Sequence, residues 1–315
     1  MPDYALVLSP LARAAYFAQA NEVAQAEVAA CVPEAEIRGA ERFGGLEVLR
    51  LTAPEESLPK LARMSSAQGL FDVTQTGWQP LDSDPGFALH PDFVWGEKYR
   101  GKTNETLTQM LINLGLAVCT VEAPARLLDP MCGRGTTLMW ALRYGMSATG
   151  VERDAQAPAE WRRGLKKWTK LHRQKHKLSE GWVQKANRQG VGRFLDFACA
   201  GQVARMVTGD SADLPKLLGR KPFDLIVSDL PYGVQHMGGA DSRSPLATME
   251  AAARGWVACL SPGGAIVIAF NANIPKRAEL LAAFEGLGLE EVPVPVAHRM
   301  SESILRDVLV LHKPA

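Results

Sequence analysis

Ala125-Arg126-Leu127-Leu128-Asp129-Pro130-Met131-Cys132-Gly133-Arg134-Gly135-Thr136-Thr137 decides how the rest of the chain is read. A short apolar run ends in a carboxylate, a glycine-rich turn follows, and an apolar helix is expected to continue through Tyr144. Strand, glycine turn and helix in that order open a nucleotide-type α/β site, because Gly133 and Gly135 let a ligand approach the backbone closely. A dinucleotide fingerprint would place a third glycine at position 138, where the chain has Leu138, and this counts against NAD. The next predicted strand, Ser147 to Val151, stops at Glu152, 23 residues after Asp129. An acid there can accept hydrogen bonds from both hydroxyls of a ribose. Two strand-end acids together favour a nucleoside-bearing cofactor more than either does alone.

The same pattern repeats downstream. Val207-Thr208-Gly209-Asp210 ends a strand in a third acid, placed where an adenine amino group could be held. Phe223-Asp224-Leu225-Ile226-Val227-Ser228-Asp229-Leu230-Pro231-Tyr232-Gly233 then reads as a buried strand that stops at Asp229. Pro231 and Gly233 force the backbone out of the sheet, into a loop that carries the ring of Tyr232. A carboxylate and an aromatic ring suit a planar, amine-bearing ring; a plain strand-ending turn with a buried tyrosine accounts for the same residues equally well. Further on, a helix is expected from Met249 to Leu260, a buried strand from Gly264 to Phe270 and a helix from Lys276 to Gly286. Glu291–Val296 and Asp307–His312 read as a terminal antiparallel pair, with Arg299, Glu302, Arg306 and Asp307 as an ion-pair network without a catalytic role.

Upstream, residues 1–85 read as a small α+β unit. Strands are expected at Tyr4–Leu8, Leu46–Leu51 and Gly69–Thr76, with helices at Ala12–Ala30 and Leu58–Ala67, and the turn-rich stretch from Gln79 to Gly86 as linker. Tyr99 to Leu107 leads into an apolar helix that runs through Val118, with Thr103 or Asn104 as its cap and Glu105 in its first turn.

The chain has 315 residues, enough for two domains. Its hydrophobic content of 47% and charged content of 22% are those of an ordinary globular protein. The five cysteines are scattered, with no C-x-x-C pair and no Cys/His cluster at ligand spacing, so neither a disulfide framework nor a metal site is expected. This cysteine usage, together with a start at Met1-Pro2-Asp3 that lacks a basic leader, fits the cytoplasm. No apolar run is long enough to span a membrane. The net charge of +1 conceals an asymmetry. Between Ala155 and Arg205 there are twelve Lys/Arg against three Asp/Glu, so this segment carries +9 and the remainder −8. Trp161, Leu165, Trp168, Leu171 and Leu178 recur near helical spacing within it. Arg162, Arg163, Lys166, Lys167, Lys170 and Arg173 fill the face between them, which is either a solvated helix face or a landing site for a polyanion.

Taken together, Asp129 to Thr137, Glu152, Gly209-Asp210 and Asp229-Leu230-Pro231-Tyr232-Gly233 resemble the ordered motifs of class I S-adenosylmethionine-dependent amino-methyltransferases. Within that class the chain is most similar to the THUMP-associated tRNA guanosine-N2 methyltransferases and their bacterial relatives, over about residues 92 to 312. The resemblance implies an α/β fold, a Rossmann-like methyltransferase domain at 86–315 with a mostly parallel sheet, a terminal antiparallel hairpin and a basic insert at about 155–205. It also implies a ferredoxin-like α+β domain at 1–85, without room for a THUMP domain. The implied cofactor is S-adenosylmethionine, held by Asp129, Gly133, Gly135, Glu152 and Asp210, with Lys102 and Thr103 in a loop that closes over it. The implied catalytic loop is Asp229, Leu230, Pro231 and Tyr232, and the partner is a structured RNA, tRNA first. Leu230 stands where the general pattern has proline, a departure found among the guanosine-N2 enzymes. Methylation of adenine N6 or cytosine N4, or a catalytically silent RNA-binding protein, are the alternatives.

Overall fold

The computed structural model describes residues 1–99, 101–123, 125–183, 185–186, 189–190, 192–219, 222–231 and 245–315. The first unit is a five-stranded antiparallel sheet of β1 (Asp3–Leu8), β2 (Glu36–Phe43), β3 (Leu46–Thr52), β4 (Ala67–Thr74) and β5 (Gly77–Leu81), in the order β2-β3-β1-β4-β5. Helices α1 (Pro10–Tyr16), α2 (Ala20–Cys31) and α3 (Leu58–Ala62) complete it. Its first four strands have the ferredoxin-like order, and β5 adds an edge inside what reads as linker in the sequence.

Two readings of this unit are corrected. The single helix expected over Ala12–Ala30 is broken at Phe17, whose φ of 54° lies in the left-handed region and caps α1. β2 went unseen because its residues are almost all exposed, so it carries no apolar alternation to read.

The second unit is built on one sheet. It contains β6 (Arg126–Asp129), β7 (Ser147–Glu152), β8 (His176–Trp182), β11 (Arg193–Cys199), β12 (Gln202–Thr208), β13 (Phe223–Asp229), β14 (Leu260–Asn271), β15 (Glu290–Glu291), β16 (His298–Arg299) and β17 (Leu305–His312). Its order is β15-β17-β14-β13-β6-β7-β12-β11-β8, with β16 beside β17. The five central strands are parallel, and β17 and β11 run antiparallel to their neighbours. A separate short pair joins β9 (Lys185–Ala186) to β10 (Gln189–Gly190).

Side chains alternate between the two faces of this sheet. Leu127, Leu225, Val227, Val267, Val308 and Val310 join one core. Their neighbours Leu128, Ile226, Ile266, Ile268, Leu309 and Leu311 join another, together with side chains of α8 (Leu214–Leu218), α9 (Pro245–Ala258) and α10 (Arg277–Ala282). Continuous burial of β13 explains its uninterrupted apolar sequence.

Helix α5 (Glu105–Val118) lies between the two units. Every residue from Thr106 to Gly115 is buried, because the helix packs on β13 and β14 on one side and on α2 on the other. Asn104 caps it by accepting from the Leu107 N–H at 3.0 Å. Its polar residues are buried against the first unit. Asn113 Nδ2 donates to Glu27 Oε1 at 2.7 Å and to the Arg63 carbonyl at 2.8 Å, and Gln109 Nε2 donates to that carbonyl at 2.9 Å. The other donors to the Glu27 carboxylate are the Ser65 N–H at 3.0 Å and the Ser65 hydroxyl at 2.6 Å. Burial raises the Glu27 carboxyl above its ordinary range, while these donors pull it back.

The basic segment also departs from its sequence reading. Helix α7 (Ala157–Leu171) buries Trp161, Leu165 and Trp168 as expected, but Leu171 is 62% exposed and Leu178 lies in β8. Beyond Leu171 the chain turns into the β8–β11 ladder and widens the sheet past β12. Among the described residues no helix is long and apolar enough to cross a membrane.

Asp224 locks the other end of the sheet. Its Oδ2 accepts from the Ala125 and Arg126 N–H groups, both at 3.0 Å, and its Oδ1 accepts from the Ser261 hydroxyl at 3.0 Å. This buried acid joins the entries of three adjacent strands, and the Asp224→Ala variant strands all three donors. Urea denaturation should show a loss of about 2–4 kcal/mol.

Candidate active site

Four acids stand at the carboxyl ends of four adjacent parallel strands, in the spatial order Asp210, Glu152, Asp129, Asp229. Register sets their levels. Asp129 lies opposite Gly150 and Glu152 opposite Thr208, so each acid projects two residues beyond its neighbour's level. Ile226 lies opposite Leu128, which carries Asp229 two residues past Asp129. The chain order reverses at β6, since β7 lies on one side of it and β13 on the other, and ligands of open α/β sheets bind at such a switch point.

Asp129 is 3% exposed. Its Oδ1 accepts from the Met131 N–H at 3.1 Å and from the Ser228 hydroxyl on β13 at 3.3 Å. Burial pushes its carboxyl up to about 7, against the pull of its hydrogen bonds to Thr137, Met131 and Ser228. The turn that follows is held from the next strand, because Glu152 Oε2 accepts from the Gly133 N–H at 2.9 Å and Oε1 from the Asp154 N–H at 2.8 Å. Gly133 has a φ of +51° and open space where a Cβ would stand. Gly135, at φ +84°, begins helix α6 (Thr136–Arg143), and a Cβ there would meet the Trp161 ring at 3.0 Å. Asp210 Oδ1 accepts from the Ala212 N–H at 2.9 Å.

At the far side of the edge, Leu230 is buried and its N–H donates to the Ala269 carbonyl at 2.8 Å, while Pro231 is exposed. Tyr232 lies outside the described residues. The neighbour of Asp229 is Arg306 on β17, whose guanidinium nitrogen is 3.9 Å from the carboxylate, with both side chains nearly buried. The sequence reading assigns Arg306 to an ion-pair network and claims no catalytic role for it. Pairing of Asn271 on β14 with Arg306 on β17 brings it to the site edge. Arg277, of α10, bridges Asp307 and Glu291 at 2.8 Å each.

Lys102 and Thr103 stand in the loop just before α5. The Lys102 ammonium donates to the Val94 and Glu97 carbonyls, at 2.6 and 2.8 Å, and to the Glu105 carboxylate. All three of its protons are thereby used within the protein, so Lys102 shapes the loop before α5. Thr103 is half-buried just ahead of the Asn104 cap. Beside this loop, between α4 (Asp92–Trp95), α6 and α7, lies a cavity of 290 Å³ lined by Tyr99, Lys102, Arg134, Trp161 and Trp168. None of the four strand-end acids lines it.

The six cations expected to meet nucleic acid fall into two groups. Arg162 and Lys167 are paired, with Glu180 at 3.2 Å and Glu97 at 3.0 Å. Arg163, Lys166 and Lys170 are exposed on α7, and exposed Arg173 follows its end.

Sheet order, switch point and acidic edge together define a Rossmann-like class I methyltransferase. Residues 97–293, more than half of the chain, match the family described as RMKL-like, methyltransferase domain, and the chain belongs to that family. Its methyl donor is S-adenosylmethionine. Among solved structures, TrmN from Thermus thermophilus is similar over 99% of this chain and 100% of its own, at 16% identity and a TM-score of 0.50. A methyltransferase from Pyrococcus furiosus is similar over 71% of this chain and 93% of its own, at 15% identity and a TM-score of 0.44. A TehB-like SAM-dependent methyltransferase from Corynebacterium glutamicum covers 65% and is covered for 85%, at 18% identity and a TM-score of 0.39. At such identities the likeness is one of fold. No curated protein matches the chain.

Proposed function

We propose that the chain methylates the exocyclic N2 of guanine in a structured RNA, with tRNA the first candidate. The observation that carries the reading is Asp229, which ends β13 beside the buried cation of Arg306 and is followed by Leu230-Pro231. The guanine preference rests on the likeness of Asp-Leu-Pro-Tyr to the guanosine-N2 loop.

The donor fits this edge. Asp129 is buried and suits the ammonium of the methionine part, Glu152 the ribose hydroxyls and Asp210 the adenine amine, while the space at Gly133 admits a ligand against the backbone. When bound, S-adenosylmethionine supplies an electrophilic methyl group on a sulfonium. The protein's own task is to make a poor nucleophile competent and to aim it. An exocyclic purine amine has its lone pair delocalised into the ring. The Asp229 carboxylate and the Leu230 carbonyl accept its two hydrogens, which favours a pyramidal nitrogen with its lone pair free. Asp229 then takes the released proton, directly or through water. Arg306 fixes the rotamer of Asp229 from the β17 side. Tyr232 stacks on the base, which leaves its own stack to arrive. Positioning supplies most of the rate, up to ~7–11 kcal/mol in favourable cases. The exposed cations of α7 meet RNA phosphates.

The test is incubation of the full chain with labelled S-adenosylmethionine and total RNA, followed by nucleoside analysis. N2-methylguanine is expected, and N6-methyladenine would overturn the choice of base. The Asp229→Ala variant should lose methyl transfer while binding S-adenosylhomocysteine as the parent does; retained turnover removes Asp229 from the chemistry.

Asp129 adds a pH dependence. Its folded-state pKa is raised, so the folded protein binds the extra proton. Its ionisation therefore costs stability as pH rises from about 4 to about 7, and the cost levels off above that. Donor binding needs the carboxylate, so calorimetry should find the donor product bound about tenfold more weakly at pH 6 than at pH 8, and the Asp129→Asn variant should lose that difference. Charge reversal at Lys166, Lys167 and Lys170 together should weaken RNA binding and flatten its dependence on salt by about two to three counterions. An unchanged slope returns α7 to a merely solvated face.

A further inference from the structure

Spacing along the chain gives no metal motif, but the fold assembles one. His90 and Asp92 lie at the start of α4, and His172 lies 80 residues away as the C-cap of α7. The His172 Nε2 is 2.9 Å from Asp92 Oδ2, the His90 Nδ1 is 3.6 Å from the same oxygen, and all three atoms lie within 4.8 Å of one another. This is the one group of three such ligands among the described residues.

We propose that His90, Asp92 and His172 bind a divalent ion of the zinc type, which fastens α4 to the end of α7. Two imidazoles and a carboxylate form a ligand set of borderline softness, suited to zinc and not to magnesium or calcium. With ligand bonds of about 2.0–2.1 Å, a tetrahedral zinc holds its ligand atoms about 3.3 Å apart. Two of the separations already bracket that value. His90 Nδ1 accepts from the Asp92 N–H at 3.2 Å, so it is the unprotonated ring nitrogen, and metal binding exchanges this hydrogen bond for a ligand bond. The two rings are stacked at 3.6 Å and 19°. Ligation requires this stack to open so that both ring planes meet at the ion, and His90, on the exposed side, is the ring that rotates. The site stands at the carboxyl end of a 15-residue helix, where the dipole favours a cation. A water completes the fourth position. Its place in the fold gives the ion a structural role. Asp92 opens α4, whose Val94 carbonyl accepts from Lys102, so the ion braces the segment that leads into the loop before α5.

The test is calorimetric titration of the full, untagged chain with zinc chloride and, separately, magnesium chloride. One zinc per chain is expected, with micromolar affinity, no magnesium binding at the same concentrations, and a rise of a few degrees in Tm at about a hundredfold excess over Kd. His90→Ala and His172→Ala should each weaken zinc binding by at least about tenfold. His90 is exposed, so its variant keeps the fold, and unchanged circular dichroism confirms that the loss is one of ligation. Absence of zinc binding leaves only an Asp92–His172 hydrogen bond and overturns the proposal. Binding that survives both substitutions places the ion on other groups, such as the Cys119 thiol, and overturns it equally.

Discussion

A single buried carboxylate, Glu27, ties the two halves of the molecule together. It has left water for a position where, among the described residues, the Ser65 backbone and hydroxyl and the Asn113 amide donate to it. An unpaired acid in that place would be costly, so the interface between α2 and α5 must be made correctly if it is made at all. Because α5 also packs on β13 and β14, it links the small unit to the strands that end in Asp229 and Asn271. A second connection runs through Tyr16. Its hydroxyl pairs with Ser65 at 2.7 Å and its ring meets the edge of His298, next to the strand that presents Arg306 to Asp229.

The edge of the sheet shows how one architectural rule yields a site. Parallel strands bury both faces and so tolerate polar residues only where they end. Four successive strands end in carboxylates, and staggered register spreads these acids across the crevice at the switch point. Asp224, an acid of the same strand as Asp229, has another fate, since the amides of Ala125 and Arg126 and the Ser261 hydroxyl consume it. Location along the strand, and not residue type, separates the structural acid from the one proposed for the site.

That rule also explains what could be read from the chain alone. The strand-end acids stood out because each interrupts an apolar run, and the glycine turn after Asp129 gave the fold its class. Arg306 was hidden because its meeting with Asp229 depends on antiparallel pairing of β14 with β17, which no local pattern encodes. The three partners of Lys102, two of them backbone carbonyls, leave no mark in sequence. β2 and β8 lacked apolar alternation for the same physical reason: each lies at an open edge of its sheet. Leu178 fell at helical spacing from Trp168 by coincidence, and the turn after Leu171 separates them. His90 and His172 are distant in sequence and meet only because α7 runs back beside α4.

Among the described residues β8 is the last strand of its sheet, and that edge has a consequence for contacts with other chains. An unpaired strand is a template for another chain, and exposed Trp182 would make such a contact adhesive. His176, Lys177 and Glu180 stand exposed along the same strand and discourage it. Charge on this strand therefore opposes pairing with another chain. A substitution that neutralises it favours such pairing.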